Sequence, residues 1–177
     1  FNELNLTYDL ILDSKINASY NFSKYKFLFI DDTVLSNAKN ITKFPIYKFP
    51  VVIMNKLYTP EWGLTTRNGA SQISSTSPLS LKLVNNSREQ MYTQSRDGLG
   101  GNFLPIYYLV DKNKANVTSI ARAFKGGGQN DVDGDSIIEV GDAIAYVPSG
   151  TLLINNYTEQ AKMCFYGIAK AKFWTED

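Results

Sequence analysis

Apolar and polar residues alternate through residues 3–22 of this chain with only two exceptions. Leu4, Leu6, Tyr8, Leu10, Leu12, Ile16, Ala18, Tyr20 and Phe22 hold the even positions, with Ser14 the polar interruption. Glu3, Asn5, Thr7, Asp9, Asp13, Lys15, Asn17, Ser19 and Asn21 hold the odd ones, with Ile11 the apolar intruder. Successive side chains of a strand point to opposite faces, so the segment is expected to be half-buried β. One strand of that length would span roughly 70 Å at about 3.3 Å per residue, whereas strands ordinarily run about five or six residues. A terminal arm reaching a neighbouring molecule accounts for such a length better than a strand packed within one domain.

Beyond the arm, short β-like runs alternate with turn signals, and no stretch carries a 3.6-residue apolar period. Strands are expected over 25–30, 44–54, 79–84, 104–110, 117–124, 137–147, 151–154 and 162–173. Pro45 and Pro50 make the second run an edge strand or a broken one, since proline has no N–H for the ladder. The Gly-, Ser- and Thr-rich segments 60–78 and 90–102 are expected to be long loops, with Asn68-Gly69 a turn. Many short strands at regular spacing predict an all-β fold, a β-sandwich of Ig-like or jelly-roll-like type. Residues 1–15 would form the arm and its joint, with the bend at Asp13-Ser14-Lys15. Residues 16–177 would form the domain, with Ile16 to Phe22 in its own sheet.

Asparagine placement adds an independent signal. Asn5, Asn17, Asn21, Asn40, Asn85, Asn116 and Asn156 each begin an Asn-X-Ser/Thr N-glycosylation triplet. With 16 Asn and 26 Ser plus Thr in 177 residues, random placement predicts roughly two such triplets, so an extracellular glycoprotein is expected. The three acceptors in the arm all lie on its polar face, where a glycan can stand in solvent. A chain starting at Phe1 would then be the mature product of secretion, its signal peptide removed. The net charge is +1 with no long basic block, which argues against nucleic acid as a partner. No apolar run approaches the ~18 residues of a transmembrane segment.

Histidine is absent, which removes Ser-His-Asp and Cys-His catalysis and the common zinc sites. The lone Cys164 cannot form an internal disulfide and is read as a free buried thiol. Asp131, Asp133, Asp135 and Asp142 stand at relative positions 1, 3, 5 and 12 of a loop resembling a calcium site. Ser136 occupies the place where an EF-hand has glycine, and Asp142 the place of its bidentate Glu, so a solvated acidic hairpin turn is the alternative. Gly126-Gly127-Gly128 lacks the Gly-Lys-Ser/Thr of a phosphate loop and suits tight backbone packing or a hinge. Asp31, Asp32 and Glu61 could in principle be recruited as a carboxylate pair for sugar hydrolysis. Trp62, Tyr107, Tyr108 and Trp174 could line a sugar-binding face, with core packing the plainer role. Lys170 and Lys172 lie in an apolar strand and are candidates for isopeptide formation, with no partner evident.

An alternating apolar arm, a β-domain, dense acceptor triplets and no imidazole together describe a filament subunit assembled by donor-strand complementation rather than an enzyme. An exposed sheet edge is a template for another chain, and an arm from the next subunit can fill it. Leu4, Leu6, Tyr8, Leu10 and Leu12 would be the donor strand, with the β-rich remainder as acceptor and the seven acceptor asparagines carrying glycans. This layout resembles the extracellular filament proteins of archaea called threads and bundling pili, and more distantly the TasA-like bacterial matrix fibres. The resemblance implies a homopolymer on the cell surface, acting in adhesion, cell–cell contact or biofilm, with host, cell-surface or sugar contacts. Richness in Lys, Asn, Ile and Tyr also suits an AT-rich archaeal genome. The chain differs from archaeal type IV pilins, whose mature N-terminus is a long apolar helix. The alternative is a secreted, calcium-stabilised carbohydrate-binding or adhesion module in which the arm is an internal strand.

Overall fold

The computed structural model describes residues 7–17, 19–32, 44–73, 79–84, 86–93, 105–124 and 139–168. Their regular structure is β throughout, apart from two single-turn 3-10 segments at Asp13–Lys15 and Asp111–Asn113. In chain order the strands are β1 Leu28–Ile30, β2 Val51–Ile53, β3 Ala70–Ile73, β4 Leu79–Leu83, β5 Asn86–Thr93, β6 Ile106–Val110, β7 Thr118–Phe124, β8 Glu139–Val147 and β9 Met163–Tyr166.

All nine join one curled, mixed sheet with the order β1-β2-β9-β8-β7-β4-β5, while β6 bonds to both β8 and β3. The β1–β2 and β2–β9 pairs are parallel, and every other pair is antiparallel. Strand β8 organises the sheet. One side of it carries β7 along most of its length. On the other side Gly141 and Asp142 pair with β6, whereas Ile144 to Val147 pair with β9. The sheet forks where these two neighbours meet, and Gly167 fills the fork. Its N–H donates to Ala143 O at 2.7 Å and its carbonyl accepts from Tyr107 N–H at 2.7 Å. A Cβ there would overlap both Tyr107 O and Ala143 O, so only glycine lets three backbones approach so closely.

Side chains on opposite faces of β9 enter two cores. Met163 and Phe165 are fully buried with Ile53, Trp62, Leu64, Leu109 and Val147 in the larger cluster. Cys164 and Tyr166 pack against the smaller one, built on Leu81, Ile106, Ala121, Ala123 and Ala143. A strand covered on both faces carries apolar residues at successive positions, which explains the unbroken Met163-Cys164-Phe165-Tyr166 run.

Several expectations are corrected. Residues 7–17 and 19–22 form no strand, so the described part of the 16–22 run does not join the sheet, contrary to expectation. Asn17 Oδ1 accepts from the Ser19 N–H at 3.0 Å, and Asn21 Oδ1 from the Ser23 N–H at 2.9 Å. Such local side-chain turns compete with a ladder that lacks a partner strand. The 44–54 run is strand only from Val51, as its prolines foretold, and 151–154 contributes only the isolated bridge Leu152↔Thr158. Conversely, β3 and part of β5 lie in segments expected to be loops, because antiparallel partners complete their ladders despite polar composition.

Glu159 is fully buried. Its Oε1 accepts from the Ala161 N–H at 3.2 Å, whereas Oε2 has no hydrogen-bond partner among the described residues. Burial raises its pKa above the usual carboxylate range. A raised folded pKa means that stability is fully present below the unfolded value and is lost as pH rises through the folded one. Glu159→Gln keeps the Oε1 acceptor and removes the buried charge. At pH 7 the variant should be about 1–2 kcal/mol more stable than the parent, melting roughly 2–8 °C higher. The gain should vanish below about pH 4, where both side chains are neutral. Thermal melts at the two pH values measure this directly.

Candidate functional site

Residues 7–12 lead into a single 3-10 turn at Asp13–Lys15. Lys15 N–H donates to Leu12 O at 2.9 Å and Ile16 N–H to Asp13 O at 3.0 Å, closing the Asp13–Lys15 turn. Ile16, only 4% exposed, anchors the chain immediately after it. Before the turn the alternate apolar residues are uncovered, with Tyr8 61%, Leu10 89% and Leu12 62% exposed. Leu4 and Leu6, the other two residues expected in a donor strand, lie outside the described residues.

One carboxylate ties the segment before the turn to the segment after it. Asp9 Oδ2 accepts from Lys24 Nζ and from the Tyr25 hydroxyl, each at 2.7 Å. The Tyr25 and Tyr20 hydroxyls lie 3.2 Å apart. The Lys24 hydrogen bond, and after it that of Tyr25, holds the Asp9 carboxyl below its ordinary pKa. An open groove runs between arm residues 8–12 and the two tyrosines. The pair is solvent-exposed, so residues 7–12 are tethered only lightly.

Among the expected glycan acceptors, Asn17, Asn21, Asn116 and Asn156 are all exposed, while Asn5, Asn40 and Asn85 lie outside the described residues. Asn17 and Asn21 stand in the Asx turns beside the arm's root. Asn156 adopts the left-handed conformation, φ 66°, which asparagine tolerates better than most residues.

Of the four aspartates expected at a calcium site, Asp131, Asp133 and Asp135 lie outside the described residues. Asp142 is fully buried, in register with Arg122 of β7 and Leu109 of β6. Both of its oxygens face cations. Arg122 Nη1 donates to Oδ1 at 2.6 Å, and Lys114 Nζ contacts Oδ2. Asp111 closes the square. Its Oδ1 lies 2.9 Å from Lys114 Nζ and 2.7 Å from Arg122 Nη1, and its Oδ2 lies 2.5 Å from Arg122 Nη2. The Arg122 hydrogen bonds, opposed by burial and aided by Lys114, hold the Asp111 carboxyl down to about 2. Among the described residues no group of three or more His, Cys, Asp or Glu is placed to hold a metal.

The charge square went unread in the sequence. Its signals are Arg122 between Ala121 and Ala123, Asp142 between Gly141 and Ala143, and the three-residue spacing of Asp111 and Lys114. Other candidates fall into packing roles. Trp62 is 1% exposed in the larger core, Tyr107 packs against that core, and Tyr108 packs against the smaller one. The Tyr107 hydroxyl reaches Asp32 Oδ2 at 3.5 Å, and burial, with Asp32 beside it, pushes its pKa up to about 12. Cys164 is a partly buried free thiol whose pKa burial raises. Gly126–Gly128, Lys170, Lys172 and Trp174 lie outside the described residues. Among the described residues no helix is long and apolar enough to cross a membrane. No family model matches the chain, and no curated protein or solved structure matches it either.

Proposed function

We propose that this chain is a structural subunit of a glycosylated extracellular filament of the pilus or thread type. Its arm would add a strand to the sheet of the next subunit, completing a sandwich between neighbours, and the polymer would serve adhesion, cell–cell contact or biofilm. The observation that supports this most is the exposure of Tyr8, Leu10 and Leu12, three alternate apolar side chains ahead of a single 3-10 turn. Alternation with period two is useful only when one face is covered, and in the single chain these side chains are left in water. A head-to-tail contact of this kind is heterologous and propagates into a fibre when it does not close. Exposed acceptors at Asn17, Asn21, Asn116 and Asn156 suit a glycan-coated surface.

Electron microscopy of the full chain beside a version lacking residues 1–12 tests the proposal. Filaments from the full chain, none from the truncated one, and occupancy of the truncated domain by a synthetic arm peptide are the expected results. Well-folded monomers in both samples would overturn it.

A further inference from the structure

We propose that Lys114 and Asp142 condense to an intramolecular isopeptide bond, with Asp111 as proton carrier and Arg122 as the group that polarises the reacting carbonyl. This inference does not depend on the filament reading. The four side chains form a square of two cations and two carboxylates, but the two cation–carboxylate pairs are not equivalent. Arg122 has a two-pronged partner in Asp111, with Nη1–Oδ1 at 2.7 Å and Nη2–Oδ2 at 2.5 Å, so this pair is self-sufficient. Lys114 and Asp142 are therefore free to lose their charges together without leaving any charge unmatched.

Burial supplies the incentive. The Asp142 side chain is 0% exposed and that of Lys114 17%, so both ions have been withdrawn from most of their water. A neutral amide in their place removes that desolvation cost. Both backbones are held in place. Asp142 lies within β8, bonded on both sides, and Lys114 forms a bridge with Thr65. Groups fixed in contact react as if at very high concentration, which offsets the ordinary preference of an amine and an acid to stay apart in water.

Every atom in the step is accounted for. A proton passes from Lys114 Nζ to Asp142 Oδ2, giving an amine and a neutral acid. The Nζ lone pair attacks Cγ and forms the C–N bond, while the carbonyl electron pair moves onto Oδ1. Arg122 Nη1, 2.6 Å from Oδ1, stabilises the negative charge that develops there. Asp111 Oδ1, 2.9 Å from Nζ, takes the second nitrogen proton and delivers it to the Oδ2 hydroxyl. The Cγ–Oδ2 bond breaks, water departs and the carbonyl re-forms. An ammonium and a carboxylate become one amide and one water, and no oxidant or other reactant is consumed.

The test is the intact mass of the folded full chain, produced in a host that adds no glycans. The expected mass is one water, about 18 Da, below that of the sequence. Trypsin on the denatured chain should leave Lys114 uncut and release a branched peptide joining residues 114 and 142. Lys114→Arg should restore the sequence mass. Asp111→Asn, with its strand content checked by circular dichroism, should leave Lys114 and Asp142 largely unjoined. An unshifted mass with cleavage after Lys114 would overturn the proposal and leave a simple ion pair. A water lost at another residue, such as a cyclised Asp133-Gly134, would overturn it equally, and the branched peptide separates the two cases.

Discussion

Under the proposed donor-strand assembly, replacing Leu10 with Asp should leave the chain folded and stop it from polymerising. Leu10 is 89% exposed in the single chain, so the substitution removes no intramolecular packing. Subunit stability should change by less than about 0.5 kcal/mol. In the proposed joint the same side chain is covered. Burying a leucine contributes ~1.5–3 kcal/mol, and an unpaired carboxylate in its place costs at least as much again. A combined loss of roughly 4 kcal/mol raises the concentration needed for assembly about a thousandfold. Sedimentation measures that concentration, and a melt of the same sample measures stability. An unchanged assembly threshold would count against the donor strand, whereas a lowered melting temperature would show that Leu10 packs on its own subunit.

Gly167→Ala should be among the most destabilising single-methyl changes available in this fold. The added carbon meets Tyr107 O and Ala143 O, two backbone atoms in neighbouring strands, and neither is the movable end of a side chain. Relief requires β6 or β8 to move away, which breaks the two 2.7 Å hydrogen bonds that close the fork. A loss of at least about 3 kcal/mol is expected, lowering the melting temperature by roughly 6–12 °C. Gly150 provides the comparison. It lies at φ +92° with nothing within 4 Å of an added Cβ, so Gly150→Ala carries backbone strain alone, about 1–2 kcal/mol. Melts of the two variants side by side separate crowding from strain. Similar losses in both would mean that the fork opens without cost.

The β character of this chain was legible because its buried strands are dense in β-branched and aromatic residues. Val51 to Ile53, Ile106 to Val110 and Met163 to Tyr166 each fall inside an expected run. Boundaries were less legible where tertiary contacts decide them. Residues 70–73 are Ala-Ser-Gln-Ile, with little intrinsic preference, and become a strand because β6 lies beside them. Residues 7–17 and 19–22 show the opposite case. Their alternation is strong, yet alternation states only that one face is to be covered and leaves open which chain covers it. The turn, the arm and the exposed acceptors could be proposed from local pattern, since each depends on neighbours in sequence. The charge square could not, because Asp111, Lys114, Arg122 and Asp142 meet only through the register of β6, β7 and β8.

The position of β9 also sets the order in which the subunit can be completed. β1 and β2 lie early in the chain, but β2 reaches β8 only through β9, whose residues 163–165 pair with 51–53 from more than a hundred positions away. Contacts that distant close slowly, after local hairpins such as β4–β5 have formed. A growing or translocating chain therefore holds β1 and β2 as a loose flap until its ninth strand arrives as a wedge. Until then the larger core lacks Met163 and Phe165, and the root of the arm has no firm body behind it. Residues 7–17 precede every described strand in the chain, yet the core beside them is finished only when β9 docks. Chain order thus builds in a delay between making the first described residues and closing the core behind them.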